Sequence, residues 1–263
     1  MSTSEKQHLL TARQMARFVT DGYLQLDELV PSPYNEAVLA DEKRMADAGY
    51  HFWSQSEALR TVFELPQVKG AVQSFVGVNP AYDHSYLHIV GPDQTKAQDW
   101  HADSIIDVRP FAFDVQAFYF THDTPVEMGP TLILPGSHLR KVNTTSIGRY
   151  KNIVGQCQLA AKAGTIVFMH HGIWHCAQPN RTNQMRYVFK LRLRPGQQQR
   201  SLFNTEGYQD PEVTDIINKG YYKWQGNEAR LEHVQRAKFW RYVTGDDNVD
   251  VSFETALTRM SIR

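Results

Sequence analysis

The 263-residue sequence contains only two cysteines, Cys157 and Cys176, and no apolar run long enough to cross a bilayer. Two thiols cannot form a disulfide framework, so a disulfide-stapled scaffold is excluded and a reducing compartment is favoured. Net charge is also missing, because 28 Lys and Arg residues balance 28 Asp and Glu residues. The chain therefore lacks the basic footprint of a nucleic-acid-binding protein.

The composition, 41% hydrophobic and 21% charged, is typical of a globular protein. The chain is long enough to form one domain with a substantial core. No internal repeat or low-complexity segment interrupts it. The first seven residues are polar and contain no apolar segment, so we expect no secretory signal. Together these features predict a cytoplasmic protein with neither membrane nor nucleic-acid partners.

The hydrophobic pattern changes twice along the chain. Residues 1–80 are predicted to be helical, from about 81 to 195 short strands alternate with Gly and Pro turns, and residues 210–263 return to helix. This order predicts a mostly β fold with flanking helices, namely a double-stranded β-helix, the jelly roll shared with cupins. We expect residues 1–263 to form a single domain.

Two short motifs carry the chemistry. In His101-Ala102-Asp103, residues i and i+2 of a strand share one face, about 6.5–7 Å apart, and can converge on one ion. This motif is weak alone, since about 0.7 His-x-Asp matches are expected by chance. A second histidine, His175, precedes Asn180 by five residues and Arg186 by eleven, a spacing expected only about 0.03 times at random.

Two imidazoles and one carboxylate on one face of a metal are the ligand set of non-haem Fe(II) oxygenases. A spaced arginine can bind the far carboxylate of an organic acid through a forked, bidentate pair. His170 and His171 remain alternative third ligands, because both lie close to His175 at the end of an apolar run.

Four segments of the chain resemble the phytanoyl-CoA dioxygenase family of Fe(II)/2-oxoglutarate-dependent oxygenases. They are Leu10-Thr11 through Gly22-Tyr23-Leu24, Trp100-His101-Ala102-Asp103, Asp123-Thr124-Pro125 through Leu134-Pro135-Gly136-Ser137-His138, and His175 with Asn180, Thr182 and Arg186.

The resemblance implies that His101, Asp103 and His175 ligate Fe(II) and that Arg186 binds the distal carboxylate of 2-oxoglutarate. It implies a dioxygenase that uses O2 to hydroxylate or otherwise oxidise a small organic molecule, releasing succinate and CO2. Ascorbate is then the expected reductant in vitro. The carboxylate of Asp103 argues against a halogenase, since it fills the position that chloride would need.

The chain departs from the family pattern at three positions. Met128 replaces a common Asn before the turn glycine, which we expect to affect the turn more than the chemistry. Cys176 and Ala177 replace a common Gly-Ser after the distal histidine, so one secondary hydrogen bond to 2-oxoglutarate is in doubt. Candidates for the substrate pocket, chosen by their nearness to the motifs, are Tyr86, His88, Asp107, Arg109, Phe118, His171 and Trp174.

The apolar residues of the strand that begins at Arg186 face the side opposite to Arg186. If they faced the barrel interior, Arg186 would point outward and could not bind 2-oxoglutarate. We expect Tyr187, Phe189, Leu191 and Leu193 to pack under flanking helices, so that Arg186 faces the barrel interior. Two other classes remain open: a cupin-type hydrolase or isomerase with another divalent metal, and a ligand-binding member of the fold without turnover.

Overall fold

A computed structural model describes residues 7–47, 49, 51–92, 94–104, 112–140, 144–220 and 226–251. The first elements are helices with one strand among them. They are α1 (Ala12–Asp21), β1 (Tyr23–Leu26), α2 (Ser32–Ala40), α3 (Glu42–Asp47), α4 (Glu57–Glu64) and α5 (Pro66–Val76).

Strands dominate the middle of the chain, and two helices follow them. These elements are β2 (Ala81–Val90), β3 (Val115–Tyr119), β4 (Leu132–Ile133), α6 (Thr144–Ile147), β5 (Cys157–Gln158), β6 (Ile166–His170), β7 (His175–Cys176), β8 (Arg186–Arg194), α7 (Pro211–Ile217) and α8 (Asn227–Thr244).

The start of α1 shows how local sequence sets the entry to the fold. The Thr11 side chain accepts from the backbone N–H of Gln14, whose own side chain accepts from the Thr11 N–H, forming a capping box. Gly22 ends the helix in the left-handed region at φ 82°. A Cβ at Gly22 would lie 2.3 Å from the His138 ring, so only glycine lets β1 begin there.

The strands form two antiparallel sheets. The larger has the order β1-β6-β3-β8-β2, and the smaller has the order β5-β4-β7. Phe118, Val167 and Val188 of the large sheet pack with Ile133 of the small sheet in one buried cluster, so the sheets face each other. This is the predicted jelly roll. "Mostly β" was too strong, because the described residues are 35% helix and 20% strand.

Helices cover the outer face of the large sheet. Phe189, Leu191 and Leu193 of β8 belong to the main core cluster together with Phe18 of α1 and Phe75 of α5. Each such buried side chain contributes about 1.5–3 kcal/mol. The prediction that the apolar face of β8 packs under flanking helices is confirmed. Within the described residues, no helix combines the length and the apolarity that crossing a membrane requires.

Candidate metal centre

The His-x-Asp segment pairs with β7 as a short antiparallel ladder. The His101 N–H donates to the His175 carbonyl at 3.0 Å, and the His175 N–H donates to the His101 carbonyl at 2.9 Å. The ladder continues where the Gln98 N–H donates to the Ala177 carbonyl at 2.9 Å. Residues directly opposite one another in such a pair point to the same face, so the two imidazoles lie side by side.

His101, Asp103 and His175 converge on one point. One ligand-type atom from each lies within 4.8 Å of those of the other two. His101 Nε2 is 3.7 Å from Asp103 Oδ1, and His175 Nε2 is 3.6 Å from Asp103 Oδ2. The three side chains therefore present two nitrogens and a carboxylate from one side, which is the arrangement of a facial metal site.

Backbone carbonyls orient both imidazoles. His101 Nδ1 lies 2.8 Å from the Asp99 carbonyl, and His175 Nδ1 lies 3.1 Å from the Ile173 carbonyl. A carbonyl can only accept, so each Nδ1 carries the proton and each Nε2 presents a lone pair. His175 Nε2 is buried, and no described residue forms a hydrogen bond with it. A buried nitrogen left unpaired is costly unless an ion occupies the centre.

The electrostatics favour the protonation states that a metal requires. Burial lowers the pKa of His175 below its usual range, which keeps the imidazole neutral. Burial raises the pKa of Asp103, but His175 and Lys190 outweigh this effect and hold the pKa below its ordinary value. The site therefore offers a neutral His175 imidazole and an ionised Asp103 carboxylate at neutral pH.

Arg186 lies at the start of β8 and its side chain is 0% exposed. Its Nη1 donates to the carbonyls of Met128 at 2.9 Å and Gln178 at 3.4 Å. Nε and Nη2 are buried and have no hydrogen-bond partner among the residues that the structure describes. Burial lowers the pKa to about 10, so the guanidinium stays charged at neutral pH. A buried, charged group with two free donors is suited to bind an anion.

Arg186 is held in place by the turn that contains Gly129 and by the turn between β7 and β8. Gly129 has φ 64°, and a Cβ there would lie 1.9 Å from the Pro179 carbonyl oxygen, so the two turns touch through backbone alone. The Asn180 side chain donates to the Val90 carbonyl and accepts from Thr182, which fixes the turn between β7 and β8. Met128 serves Arg186 through its main-chain carbonyl, which any residue at this position supplies.

Three of the seven proposed pocket residues lie on the inward face of the large sheet. Tyr86 and His88 of β2 pair with inward-facing residues of β8, and Phe118 belongs to the inter-sheet cluster. Trp174 was wrongly assigned, because it packs with Trp100 and others on the outer face of the small sheet. Asp107 and Arg109 fall outside the described residues.

Neither alternative histidine joins the convergent group among the described residues. The His170 ring stacks on Phe113 at a centroid distance of 5.6 Å, away from the triad. Burial lowers the pKa of His171, and the Asp103 carboxylate opposes this shift. This influence of Asp103 indicates that His171 lies nearer to the triad. Of the three neighbouring histidines, only His175 places a ring nitrogen within 4.8 Å of both other candidate ligands.

Lys190 is a site residue that sequence reasoning missed. It shares the inward face of β8 with Arg186, lies opposite Tyr86 and Phe118 in the sheet, and places Nζ 4.6 Å from the Phe118 ring centroid. Burial lowers its pKa to about 8, with Asp103 opposing the shift. The signal was available, because the alternation that turns the apolar residues of β8 outward turns Lys190 inward.

A separate depression of about 270 Å³ lies between α4, α5 and the start of β2. Glu64 and Lys69 at its edge already form an ion pair of 2.5 Å, and Val78 is an exposed apolar residue of its wall. Among the described residues, this depression contains no convergent set of metal ligands.

Known structures share this fold at low identity. The carbocyclase SnoK, described as non-heme and alpha ketoglutarate dependent and from nogalamycin biosynthesis, is 18% identical with a TM-score of 0.60, over 74% of this chain and 86% of that one. HygX from Streptomyces hygroscopicus, solved with nickel and 2-oxoglutarate bound, is 15% identical with a TM-score of 0.60, over 71% and 87%. EctD from S. alaskensis is 17% identical with a TM-score of 0.62, over 71% and 77%.

The comparison with curated proteins finds no match. The family model described as phytanoyl-CoA dioxygenase, in contrast, matches residues 7–188, which is more than half of the chain. That range contains the His-x-Asp segment, β7 and the start of β8, and therefore every residue of the candidate site as far as Arg186. The chain belongs to the phytanoyl-CoA dioxygenase family.

Proposed function

We propose that the protein is an Fe(II)- and 2-oxoglutarate-dependent dioxygenase and that residues 1–263 form one catalytic domain. His101, Asp103 and His175 bind the metal. The observation that carries this proposal is the convergence of three ligand atoms within 4.8 Å, one of them a buried nitrogen without a partner. Imidazole and carboxylate ligands that leave open positions suit non-haem Fe(II).

Arg186 binds the distal carboxylate of 2-oxoglutarate in this proposal. Its Nε and Nη2 are the two donors that a bidentate carboxylate pair requires, and both are buried and free. Family membership supports the assignment, as do the bound nickel and 2-oxoglutarate of HygX. The hydrogen bond from Arg186 Nη1 to the Met128 carbonyl already holds the guanidinium in place, so we expect little side-chain entropy to be lost on binding.

When bound, Fe(II) and 2-oxoglutarate supply the oxidising chemistry, in which O2 is consumed, succinate and CO2 are released, and a small organic substrate is hydroxylated or otherwise oxidised. The chain's residues position and protect that chemistry. The Asp99 and Ile173 carbonyls hold both imidazoles in the metal-binding tautomer. Phe118 and Val188 form an apolar wall that excludes water from the interior.

The two other classes fit less well. A cupin-type hydrolase or isomerase with another divalent metal has no need for a buried arginine with two free donors. A ligand-binding member without turnover would not need to retain a complete set of three candidate ligands. The two cysteines are free, which suits the reducing cytoplasm in which we place the enzyme.

The metal assignment predicts one tightly bound ion per chain. In crystals grown with Fe(II), or with Ni(II) under air, anomalous scattering should place the ion about 2.0–2.3 Å from His101 Nε2, an Asp103 carboxylate oxygen and His175 Nε2. An ion bound by His171 in place of His175 would contradict the assignment.

The activity itself is tested by succinate release. With Fe(II), ascorbate, O2 and 2-oxoglutarate, we expect slow succinate formation without substrate and faster formation when a screened compound is oxidised. Omitting Fe(II) or adding a chelator should stop the reaction, because the three ligands cannot act without their metal. Metal-dependent hydrolysis or isomerisation without succinate would favour the alternative class.

A further inference from the structure

Arg186, Lys190 and Arg192 share the inward face of β8, and they differ in their partners. Arg192 donates through Nε at 3.0 Å and Nη2 at 2.7 Å to Asp114 Oδ2, so its charge is matched. Arg186 has two free donors. Lys190 contacts the Phe118 ring, and within the described part of the chain it forms no ion pair.

When the metal and 2-oxoglutarate of the proposed function are bound, the charge of Lys190 has no matching negative charge among the described groups. The inference below rests on that proposed function. A doubly positive metal is matched by the Asp103 carboxylate together with part of the charge of the 2-oxoglutarate dianion. The positive charge of Arg186 matches the remaining negative charge of 2-oxoglutarate. His88 contributes nothing, because burial and the nearby cations Lys190 and Arg186 lower its pKa to about 3. Among the charged groups of the described residues that face the site, one positive charge, that of Lys190, is then left over.

The position of Lys190 separates it from the 2-oxoglutarate carboxylate. Its Cα lies four residues beyond that of Arg186, which is about 13 Å along an extended strand. A cosubstrate held at Arg186 and at the metal lies toward the start of β8, whereas Lys190 lies at the middle of the strand, two residues before Arg192. The face of the Phe118 ring attracts the ammonium group and holds it in this position.

We propose that the prime substrate is a small monoanion and that Lys190 binds its carboxylate on the side of the site opposite Arg186. A single carboxylate matches the single uncompensated charge. A phosphate ester carries about −1.5 to −2 charges at neutral pH and would need a second free cation. The described residues near Lys190 offer none, because Arg192 is already paired with Asp114.

The experiment compares acids with their amides. Protein loaded with Ni(II) and 2-oxoglutarate is titrated by calorimetry with butanoate, hexanoate and octanoate, with the matching primary amides, and with butyl phosphate. We expect at least one acid to bind about tenfold or more tightly than its amide and more tightly than the phosphate. Lys190→Met should lose the preference for the acid, and Lys190→Arg should keep it because the charge is retained.

Two measurements keep the result interpretable. Lys238→Met, an exposed lysine of α8, is the matched control and should behave as the unchanged protein. The 2-oxoglutarate affinity of Lys190→Met should stay within about twofold, since Arg186 and the metal provide those contacts.

Several outcomes overturn the inference. Equal binding of acids and amides, tighter binding of the phosphate, or no binding of any acid would each do so, while normal 2-oxoglutarate binding leaves the proposed function intact. A strong loss of 2-oxoglutarate affinity in Lys190→Met would make Lys190 a cosubstrate residue instead. If the unchanged metal-loaded protein fails to bind 2-oxoglutarate, the proposed function fails first and this inference falls with it.

Discussion

Replacing Arg186 by alanine is expected to weaken 2-oxoglutarate binding by about 3 kcal/mol, on the order of a hundredfold, with little change in metal affinity. The reason is that the two free donors of the buried guanidinium are lost together. The measurement is ligand-induced stabilisation. At a hundred times Kd, 2-oxoglutarate should stabilise the unchanged metal-loaded protein by about 2.7 kcal/mol, and the variant far less at the same concentration.

Two further variants separate charge from geometry. Arg186→Lys keeps the charge but loses the planar fork, so 2-oxoglutarate binding should weaken by about 1–3 kcal/mol. Arg194→Met, on the same strand but with a side chain that is 56% exposed, is the matched control and should bind the cosubstrate normally. Normal 2-oxoglutarate affinity in Arg186→Ala would remove the main support for the keto-acid assignment.

The convergence of the candidate ligands could be expected from local rules. His101 and Asp103 share a face because they are two apart in an extended segment, and the spacing from His175 to Arg186 fits a turn between two strands. The inward orientation of Arg186 followed from the alternation of β8 once its apolar face was assigned to the helices. Strand alternation is short-range, so one sequence reveals it.

The register between strands that lie far apart in the chain could not be predicted from the sequence. Nothing local indicates that the His101 segment pairs with β7 in the register that sets the two imidazoles side by side. The same register decides that Trp174 faces outward and that the Ile173 carbonyl accepts from His175. The region of short strands is also less regular than the sequence pattern indicates, since β4, β5 and β7 span two residues each and loops carry the rest.

Lys190 shows that strand alternation indicates the face on which a residue lies but not whether its charge is paired. The alternation of β8 places Lys190 on the same inward face as Arg186. Whether an inward lysine is paired depends on carboxylates far away in sequence, such as Asp114, which neutralises Arg192 and not Lys190. The residual charge of the site therefore follows from the folded structure and not from motif spacing.

Changing Asp103 to alanine is expected to abolish succinate release and substrate oxidation. The substitution removes the only anionic member of the candidate ligand set and leaves the cations Lys190 and Arg186 facing the site. Loss of a residue that merely orients a ligand costs about 10–100-fold in metal affinity, so loss of the charged ligand itself should exceed about a hundredfold. Metal-dependent stabilisation in thermal unfolding measures the first effect, and succinate release measures the second.

The same variant series tests the type of reaction. Because Asp103, as the proposed metal ligand, would fill the coordination position that chloride needs in a halogenase, the unchanged protein should give products heavier by one oxygen from O2, with stoichiometric succinate, even in chloride buffer. Asp103→Glu should retain a small fraction of activity, since the longer arm offers the same oxygen from a displaced position. Asp99→Asn is the matched control: its main-chain carbonyl still accepts from His101, so activity should persist. A chlorinated product from the unchanged protein, or full turnover in Asp103→Ala, would contradict the role given to this carboxylate.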